Sequence, residues 1–145
     1  MNNIEKNIAE WIDYLSMPQD KLNGSPVCPF AKKAKYKIID LADEEVLNPD
    51  FSTAEVILYI VDGSYSFEQV EQLSIKYNKQ FPNLVFLPDS KHRHSHINGV
   101  QSNNDKYNLI LCQERSGLQA ARDRLSQTLY YTHWDENYLK EILAQ

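Results

Sequence analysis

A cysteine between two prolines stands in the lysine-rich stretch GSPVCPFAKKAK, residues 24–35. Proline is favoured at the first position of a helix, so a helical turn beginning at Pro29 would make Cys28 its N-cap. Free backbone N–H groups and the positive end of the helix dipole would then stabilise a thiolate. Cys28 is therefore a candidate catalytic nucleophile or metal ligand, and Lys32 and Lys33 are candidate ligands of a small anionic substrate beside it.

The same stretch has a second interpretation, in which Cys28 is a small buried residue and the lysines form a solvated surface. The position of Cys28 weakens this interpretation, because the segment is a loop between prolines and not a periodic apolar run. Cys112 lies inside NLILCQ and is predicted to be a core strand residue. We expect two thiols and no disulfide, because so few cysteines in a reducing compartment are seldom paired.

Three of the four histidines alternate along KHRHSHING, at His92, His94 and His96. In an extended segment alternate side chains share one face, so a bend could bring the three imidazoles together. Three histidines with an open fourth position form a catalytic zinc site, and imidazole also binds iron. These residues are candidate ligands of a transition metal, Zn or Fe, or candidate catalytic bases acting with Cys28.

Two other interpretations of the histidine segment stay open. Arg93 and protonated histidines could form a rim that binds phosphate or carboxylate groups. Alternatively, the segment is a solvated loop, because Lys91 and Arg93 would repel a cation. Asn98 and Asn104 follow in INGVQSNNDKY, where asparagines favour turns and are also candidate hydrogen-bonding partners of a substrate.

Hydrophobic periodicity predicts the element order α-β-β-α-β-β-α-α. The predicted helices cover residues 3–16, 66–81, 116–131 and 134–143, and the predicted strands cover residues 34–42, 54–62, 83–89 and 106–113. The second and fourth strands are the most apolar, which is typical of central strands. The residues between the third and fourth strands are predicted to form a long polar loop at one end of the sheet.

These elements predict an α+β fold, with a four-stranded, mostly antiparallel sheet and helices packed on it. The β-β-α-β-β-α part equals the ferredoxin-like string β-α-β-β-α-β after its last strand is moved to the front. The prediction is therefore a permuted ferredoxin-like fold with strand order 1-2-4-3.

Length and charge narrow the class of protein. A chain of 145 residues fits a single domain, residues 1–145, and can bury a sizeable core. The formal net charge of -5 argues against general nucleic-acid binding. No apolar run approaches the roughly 18 residues of a membrane span, and MNNIEKNIAEW does not resemble a signal peptide. We expect a cytoplasmic protein with no membrane partner.

The segment VCPFAKKAK lies after an amphipathic helix and before a strand, and it resembles the LCPFA segment of an uncharacterised bacterial family, a domain of unknown function. The shared motif is Cys28, Pro29, Phe30 and Ala31. The resemblance implies a similar order of elements, with a histidine-bearing polar loop before the last strand, and a role for Cys28. It implies no particular activity.

The residues therefore favour a small enzyme that acts on a small anionic molecule through the Cys28 thiolate, a histidine-bound metal, or both. The alternative is a non-catalytic ferredoxin-like module that self-associates as a homodimer or binds a partner protein through a sheet edge or its helices.

Overall fold

The structure of the chain is a computed structural model that describes residues 3–22, 24, 26–28, 34–44, 46–91, 96–97 and 100–126. Contacts within the chain define two units. The first unit contains Met1–Lys33, Ser95–Ser102 and Ala120–Gln145, and the second contains Ala34–His94 and Asn103–Gln119. Each unit has a hydrophobic cluster of its own.

The second unit contains a four-stranded sheet. Its strands are β1 (Tyr36–Asp40), β2 (Val56–Val61), β3 (Leu84–Asp89) and β6 (Asn108–Glu114). The numbers follow chain order, and two short strands of the first unit come between β3 and β6. Their spatial order is β1-β2-β6-β3, which confirms the predicted strand order. The two most apolar strands, β2 and β6, lie in the centre of the sheet as predicted.

The direction of β1 differs from the prediction of a mostly antiparallel, ferredoxin-like sheet. β6 is antiparallel to both β2 and β3, but β1 is parallel to β2, with Tyr36 opposite Val56 and Asp40 opposite Ile60. The sheet is therefore mixed. The physical reason is the connection over residues 41–55, because about a dozen residues or more allow the chain to return to the starting end of the sheet.

One helix of the second unit, α2 (Phe67–Gln80), covers one face of the sheet. A capping box begins this helix: Gln69 N donates to Ser66 Oγ at 3.2 Å, and Ser66 N donates to Gln69 Oε1 at 2.7 Å. Val70 is fully buried in a cluster with alternate residues of the central strands. The buried members of that cluster are Ile57, Tyr59, Val61, Val70, Phe86, Ile110 and Cys112.

The first unit is built around the helix α1 (Asn3–Leu15) and a short hairpin of β4 (His96–Ile97) and β5 (Val100–Gln101). Leu15 and Leu22 pack with Val27 and Val100 in its core. The hairpin lies inside the segment that the sequence predicts to be a loop. Two-residue strands are too short to show an alternating pattern in the sequence. Val100 of β5 is buried in the core of this unit.

A third helix, α3 (Arg115–Ser126), follows β6 as predicted, whereas the predicted helix over residues 134–143 lies outside the described residues. The described segments include no helix that is long and apolar enough to span a membrane. The fold class is thus α+β, and the described part of the chain contains three α-helices and a mixed four-stranded sheet.

The fully buried Asn108, at the start of β6, joins the ends of the neighbouring strands. Its Nδ2 donates to the carbonyl oxygens of Asp62 and Tyr65, both at 3.0 Å, in the turn after β2. Its Oδ1 accepts from Ser90 Oγ at 3.1 Å and from Lys91 N at 3.2 Å, just after β3. One amide group therefore satisfies four polar groups at this end of the sheet.

We expect the substitution Asn108→Leu, which keeps the volume but removes the amide, to lower the free energy of unfolding by about 3 kcal/mol. The loss follows because part-buried backbone groups of Asp62, Tyr65 and Lys91 would lose their hydrogen-bond partner. Urea denaturation measures this value. Asn83→Leu, at an exposed position, is the matched control and should change stability by no more than about 0.5 kcal/mol; equal losses in both variants would contradict this role for Asn108.

Candidate functional site

Cys28 is half-buried at the end of α1. Its backbone N–H donates to the carbonyl oxygen of Leu15, the last residue of that helix, at 2.9 Å. The residue packs against the cluster of Leu15, Leu22, Val27 and Val100. Since Val100 belongs to β5, the core that supports Cys28 is completed by the segment that follows the histidines.

The hairpin strand that carries His96 is tied to the same core. His96 is opposite Gln101, and Ile97 is opposite Val100. Directly after β5, the carbonyl oxygen of Ser102 accepts a hydrogen bond from Trp11 Nε1 of α1 at 3.3 Å. The backbone of His96 and the residue Cys28 therefore belong to one packed unit, a juxtaposition that the sequence alone left open.

The surroundings of Cys28 have an electrostatic consequence. The carbonyl groups at the C-terminal end of a helix carry partial negative charge, and apolar neighbours stabilise the neutral thiol. The backbone of Cys28 lies at this end of α1 and the residue packs on an apolar cluster, so the ionisation of Cys28 is a sharp test of the predicted site.

Most of the other predicted site residues lie outside the described residues. This holds for Lys32, Lys33, His92, Arg93, His94 and Asn98, and for the rest of the predicted motif, Pro29, Phe30 and Ala31. The described residues contain no group of three metal-ligating side chains. The metal site, the catalytic histidines and the substrate-binding lysines therefore stay predictions.

The two cysteines are both thiols, as predicted. Cys112 lies in the centre of the sheet with no exposed surface, which confirms its assignment to the core. Burial raises the pKa of the Cys112 thiol to about 12. It is therefore inert as a nucleophile at neutral pH.

A second candidate site lies in the second unit, where β3 ends at Asp89. The carboxylate atom Oδ1 of Asp89 accepts from Asn104 N at 3.0 Å and from Asn104 Nδ2 at 2.6 Å. Burial raises the pKa of the Asp89 carboxyl to about 7, and the hydrogen bonds from Asn104 act in the opposite direction. A carboxyl with such a pKa can accept or donate a proton at physiological pH, a property of general acid–base groups.

Side-chain amides hold the chain around Asp89. Asn104 Oδ1 accepts from Lys106 N at 3.1 Å and from Tyr107 N at 2.7 Å. The buried Asn103 donates its Nδ2 to the carbonyl oxygens of Asn104, at 2.7 Å, and of Ser90, at 3.3 Å. The predicted substrate ligand Asn104 therefore makes hydrogen bonds inside the protein with both side-chain atoms, and its role towards a substrate stays a prediction.

Charged groups of opposite sign lie at the same end of the sheet. The carboxylate of Asp62 accepts from Ser64 N at 2.8 Å and from Ser64 Oγ at 2.7 Å. These hydrogen bonds, with a smaller contribution from Lys91, lower the pKa of Asp62. The Lys91 ammonium is so close to Gly63 that a Cβ there would lie 3.2 Å from Nζ. The pKa of Asp62 is thus lowered and that of Asp89 is raised, although Asp62 directly follows β2 and Asp89 ends β3 of the same sheet.

Comparison of the chain with protein-family models, curated proteins and solved structures finds no match. The resemblance of Cys28 and the next three residues to a bacterial family therefore stays a prediction.

Sequence reasoning missed Asp89, the last residue of β3, whose carboxyl has a pKa raised by burial. Its signal was an acidic residue at the end of the apolar strand NLVFLPD. That signal is weak, because an Asp after a strand usually begins a solvated turn. The raised pKa of Asp89 comes from its burial in the folded chain, which the spacing does not predict.

We predict that Asp89→Asn raises the free energy of unfolding at pH 8 by on the order of 2 kcal/mol. The folded-state pKa of Asp89 lies above the unfolded value of 3.8, so the wild-type protein loses stability as the pH rises from about 4 through about 7. Asparagine keeps an oxygen acceptor for Asn104 and never ionises. Chemical denaturation at pH 4, 6 and 8 should therefore show the gain at pH 8 and little difference at pH 4.

Asp62→Asn is the control, and its expected change in stability at pH 8 has the opposite sign to that of Asp89→Asn. The lowered pKa of Asp62 stabilises the folded protein above the unfolded pKa, and this contribution is lost as the pH falls. Its substitution should therefore lower stability at pH 8 and not at low pH. A gain from Asp89→Asn that is the same at pH 4 and pH 8 would show that ionisation of Asp89 is not the cause.

Proposed function

We propose that this protein is a small enzyme that acts on a small anionic substrate at a site formed by Cys28 and the histidine-bearing loop of residues 91–105. Cys28 acts as a thiolate nucleophile or as a metal ligand. His92, His94 and His96 act as the general base or as ligands of a transition metal, Zn or Fe.

The observation that carries this proposal is the common core of Cys28 and β5. Cys28 packs against the cluster that includes Val100, and Val100 is opposite Ile97, the neighbour of His96. An enzyme site requires that residues distant in sequence be held on one rigid support. The packing of α1, the residues around Cys28 and the hairpin supplies such a support.

The remaining predicted residues bind the substrate. Lys32, Lys33 and Arg93 supply positive charge for its phosphate or carboxylate group, with Arg93 suited to bidentate hydrogen bonds. Asn98 and Asn104 supply neutral hydrogen-bonding groups. A cytoplasmic location is part of this proposal, because a reducing compartment keeps Cys28 in the thiol form that the chemistry requires.

We also propose that the sheet is related to the ferredoxin-like class by permutation. β2, α2 and β3 form a β-α-β unit with β6 inserted between its strands, which is a split β-α-β arrangement. The parallel pairing of β1 with β2 is a departure that the permutation does not explain. This relationship concerns the scaffold and implies no activity by itself.

The pH dependence of thiol alkylation tests the role of Cys28. We expect half-maximal alkylation of Cys28 below roughly pH 8.5, the value of an ordinary cysteine, because a catalytic thiolate must be populated at neutral pH. Mass spectrometry after iodoacetamide treatment distinguishes the two cysteines. Cys112 serves as an internal control and should stay unmodified in the native protein, since burial raises its pKa to about 12.

A matched pair of variants tests whether Lys32 and Lys33 lower the alkylation midpoint of Cys28. Lys32→Gln/Lys33→Gln should move the alkylation midpoint to higher pH, whereas Lys76→Gln/Lys79→Gln removes the same charge from the exposed positions of α2 and should not. An ordinary midpoint in the metal-free wild-type protein, unchanged in both variants, would remove the basis of a thiolate mechanism.

Elemental analysis tests the metal ligands separately. If the histidines bind metal, protein purified without a chelating tag should contain roughly one Zn or Fe per chain after dialysis. The triple variant His92→Ala/His94→Ala/His96→Ala should lose this metal, and His133→Ala should retain it. Metal-free wild-type protein that also fails to bind added zinc would exclude the metal form of the mechanism and leave the thiolate form.

A further inference from the structure

The hydroxyl group of Tyr59 is buried without a hydrogen-bond partner. Tyr59 lies in the middle of the central strand β2 and is 2% exposed. Its hydroxyl makes no hydrogen bond with any residue in the described part of the chain. Buried hydroxyl groups are almost always paired, because burial without a partner forfeits the hydrogen bonds that water supplies. An unpaired one inside a protein indicates a place where a partner from outside the chain can bind.

Acidic and aromatic groups surround the Tyr59 hydroxyl. Burial raises the pKa of this phenol most, and three neighbouring groups raise it further, those of Cys112, Glu44 and Tyr77. Burial also raises the pKa of Tyr77, with a contribution from Tyr65. Glu44 is half-buried and lies near Tyr59 without a hydrogen bond to it. One carboxylate and two further tyrosine side chains therefore lie around the unpaired hydroxyl.

The layer that packs against the core cluster containing Tyr59 consists of half-buried apolar side chains. They come from the connection between β1 and β2, from the turn after β2 and from α2. These side chains are Leu41, Leu47, Phe51, Tyr65, Leu73 and Tyr77. Each of them keeps some exposed apolar surface, which the apolar part of a small molecule could cover.

The charges of the connection indicate which molecule fits. Residues 41–55 contain no lysine or arginine and five acidic residues, which are Asp43, Glu44, Glu45, Asp50 and Glu55. Lys37 of β1 lies on the same face of the sheet as Ile39, which packs against the cluster. Hydrogen bonds from Ser52, with a smaller contribution from Lys37, lower the pKa of Asp50, so this lysine lies near an acidic group. The local charge therefore attracts a cation and repels an anion.

We propose that Glu44 and Tyr59 bind the ammonium group of a small organic amine, whose apolar part is covered by the half-buried layer. A primary ammonium has three N–H donors, so it can donate to the Glu44 carboxylate and to the Tyr59 oxygen at the same time. Aromatic rings nearby attract a cation further. The inference goes beyond the proposed enzymatic function, and neither depends on the other.

Isothermal titration calorimetry of the full chain with 2-phenylethylamine tests the proposal. The neutral 2-phenylethanol and the anionic 3-phenylpropionate are comparison ligands of similar shape. The amine should bind at neutral pH, the alcohol should bind roughly tenfold more weakly, and the carboxylate should not bind. Tyr59→Phe and Glu44→Gln should each weaken amine binding roughly tenfold, because each removes an interaction with a charged group.

Urea denaturation of the free protein separates a ligand site from a structural hydroxyl. Tyr59→Phe removes a hydroxyl that has no partner in the described chain, so the urea midpoint of the free variant should stay unchanged or rise. Tyr36→Phe and Glu114→Gln make the same changes at exposed positions and should bind the amine like the wild type.

Four results would overturn the proposal. They are a wild-type protein that does not bind the amine, one that binds the alcohol or the carboxylate as tightly, full amine affinity in Tyr59→Phe or Glu44→Gln, and a lowered urea midpoint of free Tyr59→Phe.

Discussion

The structure of the second unit depends on one constraint, the need to pair buried polar groups where the chain leaves the sheet and returns to it. The chain leaves after β3 at Ser90 and Lys91, and it returns through Asn103 to β6. Asn108 pairs with the leaving segment, and Asn103 with both segments. Unpaired, these groups would each cost about 1–3 kcal/mol. Amide side chains therefore hold residues 90–91 and 103–104 at this end of the sheet.

Much of the fold could be predicted because local patterns determine it. The described helices and the four sheet strands follow apolar periodicity, and a capping box and a proline mark the two ends of α2. The central position of β2 and β6 follows from their nearly continuous apolar runs. The direction of β1 could not be predicted in this way, since the path of residues 41–55 determines it and carries no periodic pattern.

The candidate sites were less predictable because their chemistry depends on contacts between distant residues. The sequence places Cys28 before Pro29 and several lysines, which predicts a positive environment. It does not reveal that the Cys28 N–H binds the carbonyl end of α1, a source of negative potential. Likewise, the hairpin of β4 and β5 has no strong local signal, and it forms because Val100 enters the core beside Cys28.

The contact between Asp89 and Asn104 is a case in which the residue present is not the one that would give the highest folding stability. The carboxylate oxygen of Asp89 makes two hydrogen bonds with Asn104, and an amide oxygen could accept the same two bonds without the cost of burying a charge. Folding stability alone would therefore favour asparagine above the pKa of about 7. A carboxyl that costs stability above its pKa and is held by two hydrogen bonds from Asn104 is a candidate proton-exchanging group, because perturbed pKa values cluster at functional sites.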